Sequence, residues 1–191
     1  MINNMGILSK DQLMKMGFKS VGNNALVSDK ASFYNTGNIS IGNNVRIDDF
    51  CVFSAGEVGI EIGNYIHIAC YTSLIGKGRI QLEDFCNLSS RICIYSSNDD
   101  YSGEFMTNPM VPSKYTNVNH AAVHIGKHAI IGSGSVILPG VTIGRGVSIG
   151  ALSLVSSDCD SNKVYAGIPC RYIKDRKLNY LKLEKEMLNG E

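Results

Sequence analysis

The chain has 191 residues, 44% of them hydrophobic and 18% charged, with a formal net charge of +1. That length suits one domain, and the near-neutral balance argues against the basic stripe of a sequence-independent nucleic-acid binder. No run of about 18 apolar residues offers a membrane span, and the start Met1-Ile2-Asn3-Asn4-Met5-Gly6 lacks the basic and apolar regions of a secretory signal, so none is expected.

The first predicted element is a helical segment over 9–17. Ser9 and Gln12 make a capping-box pair before Leu13-Met14, and Gly17 supplies a C-terminal stop. From residue 20 a different period takes over. Val21, Val27 and Phe33 are spaced by six, as are Ile41, Ile47 and Phe53, then Ile62, Ile68 and Leu74, then Leu82, Leu88 and Ile94. Smaller residues recur in a second phase at Val45, Cys51, Ile66, Thr72, Cys86 and Ile92. The extra residues Glu57-Val58-Gly59 and Gly76-Lys77-Gly78 fit bulges between repeats.

After Ile94 the ladder stops. It resumes without a break at Ile125, Ile131, Ile137, Ile143, Ile149 and Val155, with Gly following directly at 126, 132, 144 and 150. Ala129, Ser135, Val141, Val147 and Ser153 hold the second phase. A period of six matches neither an amphipathic helix nor an alternating strand. It is the hexapeptide repeat of a parallel β-helix. Each hexad supplies a short strand and a corner, its first and fifth residues point inward, and Gly or Asn takes the sharp turn. Three hexads close one triangular coil, which is stable only when stacked on its neighbours. The expectation is an all-β prism of about six coils over 20–157 in a single domain covering 1–191.

Residues 96–122 stand outside the ladder, and a loop of that length in a compact domain is usually functional or disordered. It carries Asp99, Asp100, Tyr101, Glu104, Tyr115 and His120, a set suited to lining a site. Over 174–189 a second helix is expected, with Leu178, Leu181, Met187 and Leu188 as a stripe between Lys and Glu residues. Both helices would cover open prism ends that otherwise pair with other chains. Six cysteines occur without a C-x-x-C pair, and Cys51 and Cys86 fall on inward positions. They read as reduced, structural thiols of a cytoplasmic protein.

The repeat resembles that of the left-handed β-helix acyltransferases over nearly the whole chain. The left hand of the coil is implied by that resemblance. The run Ile94-Tyr95-Ser96-Ser97-Asn98-Asp99 is similar to the site of maltose, galactoside and related sugar acetyltransferases. So are Ile125-Gly126-Lys127-His128-Ala129-Ile130-Ile131-Gly132, Pro139-Gly140-Val141-Thr142-Ile143-Gly144 and Ile149-Gly150-Ala151. Tyr165-Ala166-Gly167-Ile168-Pro169-Cys170-Arg171 resembles the closing motif that meets coenzyme A. The resemblance implies an acetyl-CoA-dependent transferase acting on a sugar or nucleotide sugar, in surface polysaccharide biosynthesis. It also implies a homotrimer with acetyl-CoA in the grooves between subunits. Ser133, Gly134, Gly150 and Ala151 would then lie along the pantetheine arm, with Arg171 and Lys174 at the nucleotide phosphates. Where relatives carry Lys after Val-Thr, this chain has Val155-Ser156-Ser157, and Lys163 is the substitute.

One departure falls where the chemistry is. The family's catalytic His is replaced by Asp99, with Asp100 beside it and His120 at the far end of the loop. A sugar hydroxyl needs a base with pKa near the working pH, and an ordinary Asp at about 3.9 is a poor match. A neutral amine is already nucleophilic, so the replacement tilts the acceptor toward an amino sugar. Asp99 is either an active-site group or a hydrogen-bond acceptor that orders the loop. His67 and His124 should face outward, and His128 should sit on a corner surface or subunit contact.

Two other classes compete. A zinc enzyme like the γ-type carbonic anhydrases needs three converging histidines and an open coordination position, a pattern that the spacing of His120, His124 and His128 does not match; no metal is expected. A non-catalytic β-helix scaffold is the third reading.

Overall fold

The computed structural model describes residues 6–190. Its body is a three-faced parallel β-helix. The first face carries six strands, from Ser20–Val21 to Thr142–Ile143. The second runs from Leu26–Val27 through Ser148–Ile149 and Lys163–Ala166 to Arg171–Asp175, and the third from Ser32–Tyr34 to Leu154–Val155. Six coils are therefore complete, and a seventh begins. Its second-face strand is Lys163–Ala166, and Cys159 bridges to Ile143 on the first face. The ladder thus continues beyond 157, a point the aliphatic pattern alone does not reveal because Cys159 and Tyr165 hold the inward positions.

The spacing of six becomes vertical columns. Ile41, Ile62, Leu82, Ile125 and Ile143 stack on the first face. Val27, Ile47, Ile68, Leu88, Ile131, Ile149 and Tyr165 stack on the second. Phe33, Phe53, Leu74, Ile94, Ile137 and Val155 stack on the third. Removing these side chains from water supplies the stability that no single coil could. Val21 and Phe33, in the first coil, are only partly buried, since that end of the prism is closed by few residues. The inward hydroxyls find backbone partners: Thr72 donates to the carbonyl of Ser89 at 3.1 Å and Ser135 to that of Gly150 at 3.1 Å.

Close stacking dictates glycine at some corners. A Cβ on Gly42 would stand 2.4 Å from the carbonyl oxygen of Gly63, and one on Gly132 would stand 2.4 Å from the amide of Ala151. Elsewhere the corners are loose, and looseness concentrates on one edge. Between the third and first faces lie the short helix Thr36–Asn38, the stretch 56–59, the stretch 77–79 and then the whole excursion.

The first helix, α1 (Lys10–Lys15), is capped reciprocally by Ser9 and Gln12, and Leu13 is buried against the first coils. Gly17 follows at φ +72°. The second helix, α2, spans Asn179–Asn189, not 174–189. Residues up to Asp175 instead form an antiparallel strand on Lys163–Ala166, joined through a cis Ile168–Pro169 peptide. The expected apolar stripe does not dock α2 either. Leu178, Met187 and Leu188 are exposed, and the helix has no buried residue.

Candidate active site

The excursion begins as an ordered hairpin. Ser97–Asn98 pairs antiparallel with Asn119–His120, which sets Ser97 opposite His120. Below it, Ser96 is fully buried, donates its hydroxyl to the carbonyl of Gly78 at 2.8 Å and accepts at its carbonyl from the amide of Ala121 at 3.1 Å. A Cβ on Gly76 would stand 2.3 Å from Ser96 Oγ, so the hairpin root sits directly on the glycines of the coil beneath. Ser97 Oγ lies 2.8 Å from Nδ1 of His120 and accepts from the amide of Lys77 at 2.8 Å.

The two aspartates part company. Asp100 accepts from the amide and hydroxyl of Ser102 and from Asn117 Nδ2 at 3.3 Å. Those bonds, the Ser102 hydroxyl first, hold its carboxyl below the usual range. Asp100 is thus the residue that orders the loop. Asp99 is exposed, and its carboxylate has no hydrogen bond or ion pair among the described residues. It stands just past the hairpin strand, two residues from Ser97.

A second set of candidates lies on another edge. Ser133 and Gly134 occupy the corner between the second and third faces in the fifth coil, and Gly150 and Ala151 the same corner in the sixth. The two corners are stitched by the Leu152 amide to the Ser133 carbonyl at 2.9 Å, and Gly134 adopts φ +73°. The result is a narrow edge with small residues and a free surface at Ser133 and Ala151. Lys163, Arg171 and Lys174 gather on the closing antiparallel pair. The ammonium of Lys163 is held by Asp160 at 2.8 Å, and Arg171 donates to its neighbour's carbonyl at 3.1 Å. Lys174 is exposed without an ion pair among the described residues.

Within one chain the two sets do not meet. The aspartates and His120 spring from the corner between the third and first faces, while Ser133 and Ala151 lie on the other side of the third face.

His67 and His124 do face outward, each on a carboxylate of the neighbouring coil: Asp48 at 2.8 Å and Glu83 at 2.9 Å. His128 is not a surface group. It sits at φ +63° in a stack with Phe85 and Tyr180, and its side chain is 11% exposed. The sequence singles out His120 but not its seat on Ser97 and Lys77, because the hairpin pairs residues 23 apart with no periodic signal. The triplet Gly76-Lys77-Gly78 is the hint in the sequence that backbones approach closely there. Among the described residues, no group of three or more His, Cys, Asp or Glu is placed to hold a metal ion.

Residues 122–157 match the family described as bacterial transferase hexapeptide (six repeats). The chain is 59% identical over 180 residues, 94% of each chain, to the dTDP-4-amino-4,6-dideoxy-D-glucose acyltransferase of Escherichia coli. It is 31% identical to the galactoside O-acetyltransferase of Escherichia coli K12, over 87% of this chain and 68% of that one. Among solved structures it matches AntD, an N-acyltransferase from Bacillus cereus. In complex with dTDP and 3-hydroxybutyryl-CoA, AntD superposes with a TM-score of 0.91 at 48% identity, over 97% of each chain. A variant of AntD in complex with dTDP-4-amino-4,6-dideoxyglucose and coenzyme A gives 0.93 at 47% identity, over 97% of this chain and 98% of that one. With the columns, the glycine corners and the closing hairpin all present, the chain belongs to the hexapeptide-repeat, left-handed β-helix family of acyltransferases.

Proposed function

We propose that this protein transfers an acetyl group from acetyl-CoA to the amine of a dTDP-4-amino-4,6-dideoxy-sugar, in the cytoplasm, as a step toward surface polysaccharide. The observation that carries the substrate class is likeness across nearly the full length to an acyltransferase named for that nucleotide sugar. AntD, which holds the same nucleotide sugar and coenzyme A together, supports it.

Transfer is direct. The neutral amine attacks the thioester carbonyl, a backbone N–H stabilises the oxyanion, and the tetrahedral intermediate expels the coenzyme A thiolate. Asp99 accepts the proton that the nitrogen sheds. Its carboxylate is free to do so because Asp100, not Asp99, orders the loop. Ser133, Gly134, Gly150 and Ala151 carry the pantetheine arm, and Arg171, Lys174 and Lys163 face the donor's phosphates.

The working form is a homotrimer. Its support is geometric: donor edge and acceptor loop stand on different corners of one prism, so each groove is completed by a neighbour. Large apolar side chains on the loop and on α2 point the same way, among them Tyr101 at 87% exposure and Met110 at 90%.

Release of free thiol from acetyl-CoA, assayed against dTDP-amino sugars, free sugars and galactosides, tests the reading. 3-Hydroxybutyryl-CoA runs alongside as an alternative donor. Turnover confined to the dTDP-amino sugars is expected. Turnover of galactosides alone would overturn the acceptor assignment, and a monomer by light scattering at micromolar concentration would overturn the shared groove.

A further inference from the structure

We infer that Lys77, Ser97 and His120 form the seat of the acceptor's diphosphate, so that His120 holds the substrate and does not take its proton. This rests on the nucleotide-sugar reading above.

The cluster is built from the coil upward. The backbone of Lys77 is fixed from two sides: its amide donates to Ser97 Oγ at 2.8 Å, and Gly56 beneath it approaches so closely that a Cβ there would stand 2.4 Å from Lys77 Cα. Its side chain is exposed, and its ammonium has no carboxylate partner among the described residues. Lys30 and Lys127, by contrast, are held by Asp49 and Glu184, and the unpaired Lys174 stands on the closing strand, away from the hairpin. His120 is likewise half used. Ser97 holds Nδ1, which fixes the ring, while Nε2 has no partner among the described residues.

An unpaired lysine on a pinned backbone, with an imidazole whose Nδ1 accepts from the Ser97 hydroxyl so that Nε2–H points away from it, matches the chemistry of a phosphate: a point charge and a directed donor for oxygens that only accept. The neighbouring carboxylates argue for the same division. Asp99 lies two residues beyond Ser97, hence at most about 7 Å along the chain. In a 4-amino sugar joined to a diphosphate at position 1, amine and phosphate leave from opposite ends of one six-membered ring. One substrate can therefore meet Asp99 with its amine and the Lys77–His120 side with its phosphate. The reverse placement sets phosphate oxygens against Asp99 and leaves the cation with no anion. A general base at His120 would leave Lys77 without a role.

Calorimetric titration of the full-length protein with dTDP, together with steady-state kinetics, tests this. For Lys77→Ala the dTDP dissociation constant and the acceptor KM should rise about tenfold to a hundredfold, with kcat and the acetyl-CoA KM little changed. Lys77→Arg should restore most of the affinity. His120→Gln should raise the acceptor KM by more than it lowers kcat, and wild-type dTDP affinity should fall with salt more steeply than that of Lys77→Ala. Unchanged dTDP affinity in both Lys77→Ala and His120→Gln would overturn the inference, as would a His120→Gln enzyme that binds dTDP normally but has lost kcat. Absence of dTDP binding by the wild-type protein itself would instead overturn the nucleotide-sugar reading, and the inference with it.

Discussion

Nε2 of His128 stands 2.8 Å from a carboxylate oxygen of Glu184, joining a corner of the fifth coil to the last helix. Lys127 reaches the same carboxylate, and Arg145 approaches it at 3.6 Å. The phenol of Tyr180 donates to Asn162 at 2.6 Å, and Arg176 donates to the carbonyls of His128 and Gly146 at 2.8 and 3.1 Å. Helix α2 is thus fastened by polar contacts and by the Tyr180 ring on His128, while Leu183, Met187 and Leu188 stay exposed.

That fastening should respond to acid. The Lys127 hydrogen bond, followed by that of His128, holds the Glu184 carboxyl below the usual glutamate range. A group lowered in the folded state stabilises above its unfolded pKa, and the stabilisation is lost as pH falls through the folded value. Protection factors of the α2 amides, exchange rates taken relative to the free-peptide rate at each pH, should therefore be high at neutral pH and fall below about pH 4. In Glu184→Gln, α2 should exchange faster at neutral pH, with little change in that acid window. Equal protection of α2 in both proteins would show that other contacts carry the helix.

Asp99→Asn should cut kcat about 10²–10⁴-fold, the usual contribution of a positioned base. Acetyl-CoA affinity should stay within a few-fold, because the donor is assigned to another edge. The comparison is His120→Ala. A near-normal Asp99→Asn with an inactive His120→Ala at saturating acceptor would move the base to the far strand of the hairpin. If both variants keep kcat, an amine acceptor loses its proton to water and the site works by positioning alone.

Replacing Ile143 with Asp should prevent folding. Ile143 is fully buried in the first-face column, between Ile125 of the coil beneath and Cys159 of the seventh. An unpaired charge there costs several kcal/mol, comparable to a whole domain's margin of about 5–15 kcal/mol. Loss of the cooperative far-UV transition in soluble material is the expected result. A folded variant with wild-type melting would mean the column tolerates local opening.

The thiols should fall into two classes. Burial pushes Cys51 up to about 11 and Cys86 and Cys159 up to about 12, and nucleophilic attack needs the thiolate. Burial raises the Cys170 thiol as well, so at pH 8 an aromatic disulfide reagent should titrate these four only on unfolding. Cys70 and Cys93, which are less buried, should react first. Rapid labelling of Cys86 in the native protein would show that the prism opens on the reagent's timescale.

The prism was legible because its rule is local and repeated: every six residues, an inward aliphatic. Ile125 through Val155 state that rule without interruption, and even the bulges at 57–59 and 76–78 appear as surplus residues. What stayed hidden depends on contacts outside the period. Ser97 and His120 meet through a two-residue ladder, and His128 meets Glu184 across 56 positions of sequence. No spacing rule encodes either. The stripe from Leu178 to Leu188 marks the C-terminal helix but not its start, since Lys174 and Asp175 pair back on Lys163–Ala166 as a strand. The aspartates could not be told apart from sequence, since their difference lies in Ser102 and Asn117, which reach only Asp100.

The separation of the loop corner from the pantetheine edge by an entire face has a genetic counterpart. If neighbouring subunits complete each groove, a subunit broken at Asp99 and a subunit broken at the donor edge are each inactive alone, yet each carries the half that the other lacks. Co-folded in equal amounts, they would assemble at random, and about a quarter of the interfaces would join a sound loop to a sound edge. Two dead alleles would then restore measurable turnover in one cell, whereas two alleles broken on the same edge would not.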